Sequence, residues 1–203
     1  MKRLTEQTPL QRGSHPSRED GMCAMEMVSW LAGEAHSDEP RCACPVLAAL
    51  VRACNDAMGD AARDLHLRPL VPRLVNTKST RAVEAARGFA AVDMMARALL
   101  PRHLARRGRR ADARRLRALQ PIDSPQRAGE ARRALEPFAA DVRAAAWVLD
   151  RAAEAAPPQR FVAGVIQAAR GLDGGAVWTE ISTLIVAMVR LGAAAAPALA
   201  RRS

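Results

Sequence analysis

The runs AAVDMMARALL (Ala90–Leu100) and AADVRAAAWVLDRAAEAA (Ala139–Ala156) limit this chain more than any other feature. Both are rich in alanine, with leucine and arginine, and the first adds two methionines, all residues with high helix propensity. The aromatic residues that favour strands are sparse. Aromatics make up 3% of the chain, with no tyrosine, against 49% hydrophobic residues overall. A core assembled from Leu, Val, Ala and Met suits helix–helix contacts. The fold expected is therefore all-α, with six to seven helices in bundle-like or orthogonal packing. The 203 residues suffice for one buried core, with or without an appendage.

Prolines, glycines and capping residues divide the pattern. Residues 1–20 carry mixed charge, two prolines and few large apolar groups, which predicts a disordered N-terminal arm. A first helix is expected from Met22 to Gly33, with Gly33 as its stop. Pro45 suits the first position of a second helix, which Gly59 ends, and Asp60 can cap the next. Pro69 and Pro72 interrupt the third element. Ser79 or Thr80 opens a long helix that Pro101 breaks or kinks. Ser124 and Pro125 start another, with a kink at Pro137. Helices over about 157–170 and 178–191 follow, separated by a turn at GLDGG, and the tail is expected to fray. The domains expected are the arm 1–20, an N-terminal helical domain 21–120, and C-terminal helices 121–203 packed on the same core.

Charge is concentrated. The formal net charge is +10, yet Pro101–Arg117 (PRHLARRGRRADARRLR) alone holds eight arginines and one acid. On a helix, Arg106, Arg110, Arg114 and Arg117 recur near one face, a stripe able to follow a phosphate backbone or an acidic protein. No aromatic residue interleaves it to stack on single-stranded bases. Pairing of these arginines with acids elsewhere is the competing reading.

One passage is chemically dense: GEAHSDEPRCACPVL, Gly33–Leu47. Four cysteines in 203 residues do not make a disulfide framework. Cys23, His36, Cys42 and Cys44 could instead form a tetrahedral zinc set, with Glu34 or Asp38 in place of one member. Two other readings stand beside this one. Cys42 and Cys44 could be a redox pair whose thiolate is favoured by the start of the second helix. The segment could also be a polar turn with packed thiols. Cys54 lies about 15 Å along the helix from Cys44 and reads as an inert core thiol. Glu26 faces away from the apolar stripe of its helix and reads as a solvated carboxylate. Asn55, Asp56, Asp60 and Asp64 read as capping residues.

The block EDGMCAMEMVSWLAGEAHSDEPRCACPVLAALVRACND (Glu19–Asp56) resembles the opening block of an uncharacterised family of hypothetical bacterial proteins. That block has the form Cys-x-Met-Glu, Leu-Ala-Gly-Glu, Ser-Asp, Pro-x-Cys and a closing Asn-Asp. RPLVPRLVNT (Arg68–Thr77) is similar to the segment that follows it. The resemblance spans about residues 19–100 and implies a shared helical domain without an assigned activity. It gathers Cys23, Met25, Glu26, Glu34, Ser37, Asp38, Cys42, Asn55 and Asp56 into one unit.

The sequence contains no G-x-S-x-G, no Walker loop and no H-E-x-x-H, so hydrolase and nucleotide-binding readings lack support. The N-terminus lacks the apolar core of a signal peptide. ISTLIVAMV (Ile181–Val189) reaches about 14 Å as a helix, against a hydrocarbon layer of roughly 30 Å. A cytoplasmic location with no membrane partner is the expectation. The function expected is a small helical partner-binding protein, with a structural zinc site at loop 34–44 and an arginine segment engaging an acidic protein or nucleic acid. An enzyme or thiol-redox protein using the same loop is the alternative. A nucleic-acid-binding accessory protein acting through residues 102–117 is the third.

Overall fold

The computed structural model describes residues 8–172 and 177–200. The described residues are helices, turns and loops, with no strand among them, so the fold is all-α. In chain order the helices are α1 (Ala24–Leu31), α2 (Pro45–Ala57), α3 (Asp60–His66), α4 (Val71–Leu74), α5 (Arg81–Met94), α6 (Leu100–Arg106), α7 (Arg110–Arg117), α8 (Pro125–Leu135), α9 (Arg143–Ala153), α10 (Val162–Leu172) and α11 (Val177–Ala200). Short 3-10 segments at Arg68–Leu70, Glu136–Val142 and Pro158–Arg160 join some of them. The described residues thus hold more helical segments than the six or seven expected, because prolines divide runs that apolar periodicity alone would join.

Local chemistry accounts for the boundaries. Gly33 stops α1 with φ +72°, a conformation that side-chain-bearing residues adopt only with strain. Pro45 is the first residue of α2, as expected. Ser124 caps α8, its Oγ accepting the Arg127 N–H at 3.4 Å. Asp60 is the first residue of α3 and Gly59 its cap, one position from the expectation. Pro137 gives the expected kink, with Phe138 at φ −144° and ψ 19°. Pro101 does not break the long helix. A π turn over Met95–Leu99 precedes it, and the helical run continues to Arg106. The wider turn relieves the clash of the proline ring with the preceding turn. Helix α11 runs on past Leu191 to Ala200, where fraying was expected. Most of the GLDGG turn lies outside the described residues.

The chain forms two compact units, one of residues 1–84 and 178–203, the other of 85–177. This differs from the expected boundary at 120/121, because α11 returns to the first unit. The first unit's core includes Met25, Met27, Leu47, Leu50, Val51, Leu74 and, from α11, Ile181 and Met188, all buried. That of the second includes Met95, Leu99, Leu104, Leu116, Leu135, Leu149, Val165 and Ile166. In the second unit α9 packs on α8 and α10, and α6 packs on α7.

The arm is ordered over residues 8–20, contrary to the disorder expected of residues 1–20; residues 1–7 lie outside the described set. Its backbone polar groups find partners in the first unit. Gln11 N–H donates to Met22 O at 2.8 Å, and Gly13 N–H to Asp56 Oδ1 at 3.0 Å. Asn55 bridges the arm and α1, donating through Nδ2 to Gln11 O at 2.8 Å and accepting the Ala24 N–H at 3.2 Å. Arg63, 4% exposed, donates to Leu10 O at 3.2 Å, Asn55 O at 2.9 Å and Met58 O at 2.6 Å. Arg68 reaches Thr8 O and Asp64. Buried side-chain donors and acceptors satisfy this segment where apolar residues are too few to hold it.

Candidate functional site

Glu26 is the hub of the first unit's polar cluster. It is 1% exposed, so the solvated carboxylate expected from its helical position is not observed. Its Oε1 accepts the His15 backbone N–H at 2.6 Å, and Oε2 meets His15 Nδ1 at 2.8 Å and accepts the Cys23 N–H at 2.7 Å. His36 Nε2 lies 3.7 Å from Oε1 and 3.0 Å from His15 O. His36 Nδ1 is buried without a hydrogen-bond partner. Cys23 caps α1, its Sγ accepting the Glu26 N–H at 3.4 Å, so Cys23 and Glu26 form a reciprocal capping box. The solvent side of α1 that periodicity assigned to Glu26 is covered by the arm.

The sequence-derived metal ligands are used separately. Cys23 is committed to the cap, and burial pushes its thiol up to about 12, with the Glu26 charge adding to the effect. His36 turns toward His15 and Glu26. Cys42 N–H donates to Glu34 Oε1 at 2.8 Å, and Arg41 N–H to Glu34 Oε2 at 2.7 Å, so Glu34 fastens the loop backbone. Cys44 is fully buried at the start of α2, its N–H donating to Thr77 Oγ1 at 3.1 Å. Asp38 lies beside Arg52 at 3.8 Å. Among the described residues no three His, Cys, Asp or Glu side chains are grouped to hold a metal ion. The zinc set of Cys23, His36, Cys42 and Cys44 therefore does not fit this geometry.

The redox reading finds no activated thiol at Cys42. Burial raises its pKa, and the Glu34 carboxylate adds to the rise. Cys54 is fully buried in α2, where burial alone raises its pKa, in keeping with a core thiol. All four cysteines are free thiols. The block of residues picked out by the resemblance thus works largely as scaffold. Cys23, Glu26 and Asn55 tie the arm to α1 and α2, Asp56 holds Gly13, and Glu34, Ser37 and Asp38 shape the loop.

The second unit carries the stronger surface feature. Gly108, at φ +79°, breaks the arginine segment into the end of α6 and the start of α7. Arg106 therefore leaves the continuous stripe expected for Arg106, Arg110, Arg114 and Arg117. Ala113 and Leu116 bury one side of α7, leaving Arg110, Arg114, Arg115 and Arg117 exposed, with Arg107 exposed at the preceding turn. None of these five has an acid partner among the described residues. Arg109 behaves differently. It donates to Asp112 at 2.8 Å and Asp141 at 3.0 Å and lies 4.7 Å over the Phe138 ring. It fixes the turn while its arginine neighbours stay exposed.

Sequence reasoning missed His15, whose role depends on an arm it read as disordered. It also missed Arg107 and Arg115 as members of the basic surface, because a straight helical wheel through Gly108 set the wrong phase. Compared with protein-family models, curated proteins and solved structures, the chain matches none. No described helix is long and apolar enough to cross a membrane.

Proposed function

We propose that this chain is a helical binding protein that engages the phosphate backbone of duplex nucleic acid through the arginine surface of its second unit. One observation carries the reading: Arg107, Arg110, Arg114, Arg115 and Arg117 are exposed and lack acid partners among the described residues. Arginines at i and i+4 or i+3 on one helix repel by about 0.2–0.5 kcal/mol per pair. A polyanion relieves that repulsion and releases its own counterions.

Arginine's planar fork suits phosphate oxygens, which favours a nucleic-acid backbone over an acidic protein surface. The eight residues of α7 extend about 12 Å, enough to follow phosphates. No Phe, Tyr or Trp lies in α6 or α7 to stack on unpaired bases, which favours duplex over single strands. The contact is with the backbone, so little sequence preference is expected.

Fluorescence anisotropy with a labelled duplex of about 20 base pairs tests this. Affinity should fall steeply between about 50 and 200 mM salt, with a log–log slope of about −3.6 to −4.5 for four or five phosphate contacts. Reversal of Arg110, Arg114 and Arg117 to Glu, all at exposed positions, should abolish binding while leaving the helical circular dichroism intact. No binding at about 50 mM salt, or binding that ignores both salt and the reversal, would remove the proposal. Retention of an acidic protein but not duplex by the same surface would transfer it to the other class of partner.

A further inference from the structure

We propose that a second site in the same unit, a cleft of about 270 Å³, binds a small organic phosphomonoester. Its floor is apolar, formed in part by Leu100, Val142 and Ala168, all buried. Its rim is cationic. Arg107 comes from the end of α6 and Arg143 from the first residue of α9, both exposed and without an acid partner among the described residues. His103 and Gln167 add further hydrogen-bonding groups to the lining.

Donor geometry selects the ligand. Asp141 is the one acid among the lining residues, and it shares Arg109 with Asp112, at 3.0 and 2.8 Å. Arg107 and Arg143 leave the cleft with a net positive charge and two guanidinium forks that have no acid partner among the described residues. The start of α9, which has no acid in its first turn, adds to the positive field. A phosphomonoester carries close to two negative charges at neutral pH and offers oxygens to both arginine forks. A monocarboxylate has two oxygens, enough for one bidentate fork. The volume lies just under the roughly 300–1,000 Å³ of drug-sized pockets, so the organic part must be compact, and the apolar floor gives it a place to sit. A bare phosphate ion would leave that floor uncovered.

The site shares Arg107 with the open arginine surface but does not depend on duplex binding. Titration calorimetry of the full chain with phenyl phosphate, benzoate and inorganic phosphate tests it. Phenyl phosphate should saturate one site per chain with Kd below about 1 mM, at least about tenfold tighter than either of the other two. Arg143→Ala, at an exposed position, should weaken it about tenfold or more, and Arg107→Ala should do the same. Reversal of Arg110, Arg114 and Arg117 should leave it unchanged, which separates this site from the duplex-binding surface. Absence of saturation, equal binding of inorganic phosphate, or indifference to both Arg143→Ala and Arg107→Ala would overturn the proposal. So would loss of binding only in the charge-reversed variant, since the anion would then sit on the open arginine surface.

Discussion

Glu26 holds His15 with both carboxylate oxygens, Oε1 on the backbone N–H at 2.6 Å and Oε2 against ring Nδ1 at 2.8 Å. An ionised carboxylate only accepts, so His15 Nδ1 carries the proton in this contact. Through this pair, a residue eleven positions upstream is fastened to the first turn of α1, and the arm becomes part of the first unit's packing.

Removing the hub should therefore be costly. Glu26→Ala leaves the buried Cys23 N–H and the half-buried His15 N–H without acceptors, and a loss of about 3 kcal/mol is expected. Glu26→Gln keeps one acceptor oxygen but points an amide N–H₂ at existing donors, for a loss of about 2 kcal/mol. The exposed Glu39→Ala should change stability by less than about 0.5 kcal/mol. Urea denaturation measures all three, and equal midpoints for Glu26→Ala and Glu39→Ala would contradict the assignment.

The same carboxylate predicts a pH dependence. Burial works to raise the Glu26 pKa, but the N–H groups of Cys23 and His15 and the His15 ring outweigh it, leaving the pKa below its ordinary value. A lowered folded-state pKa stabilises the fold above the unfolded value, about 4.3. That contribution is lost as pH falls through the lower folded value. The stability gap between wild type and Glu26→Gln should be constant at neutral pH and shrink below about pH 4. A gap that stays constant down to about pH 2 would show that folding does not lower the Glu26 pKa.

Hydrogen exchange tests the arm directly. The amides of Gln11 and His15 donate to Met22 O and to Glu26. They should exchange about a hundredfold more slowly than an unstructured peptide. In Glu26→Ala the His15 amide should lose its protection first. Random-coil rates at both amides in the wild type would restore the disordered arm that composition alone predicts.

Thiol chemistry separates a scaffold from a reactive loop. Burial raises the pKa of Cys23 to about 12 and also raises those of Cys42 and Cys54. Native protein should therefore react slowly with a thiol probe at pH about 7, Cys42 first, because it is the one cysteine that is not fully buried. Unfolding should release all four. A chelator should leave the thermal midpoint unchanged. Rapid labelling of Cys42 at neutral pH would reinstate the redox reading, and about one tightly held zinc per chain would reinstate the metal site.

Several features were legible from residue type and spacing because they are local. Gly33 as a stop, Pro45 as a first helical residue, and Ser124 with Pro125 as a start depend on backbone geometry within one turn. The buried role of Cys54 followed from its place on the apolar stripe of α2. Glu26 was misread for the opposite reason. Helical periodicity shows which face of α1 is apolar, but not that an arm with few large apolar groups will cover the other face. The zinc set was not brought together for a similar reason: proximity in sequence placed Cys42 and Cys44 near His36, while their backbone N–H groups donate to Glu34 and Thr77 respectively, contacts that spacing alone does not show.

The residue pattern by itself determined that this chain is helical, that its core is aliphatic and that its positive charge is concentrated between Pro101 and Arg117. Each of these depends on propensity, hydrophobicity or charge, which individual residues carry wherever they are placed. Only the tertiary structure decided that residues 8–20 are ordered, that α11 joins the first unit, and that Arg107 and Arg143 line one cleft. Those outcomes depend on partners distant in sequence: Asn55 and Arg63 for the arm, and the positioning of α6 and α9 for the cleft. Satisfying a buried N–H or placing two charges around one cavity is a property of a pair, and the pair exists only once the chain has folded.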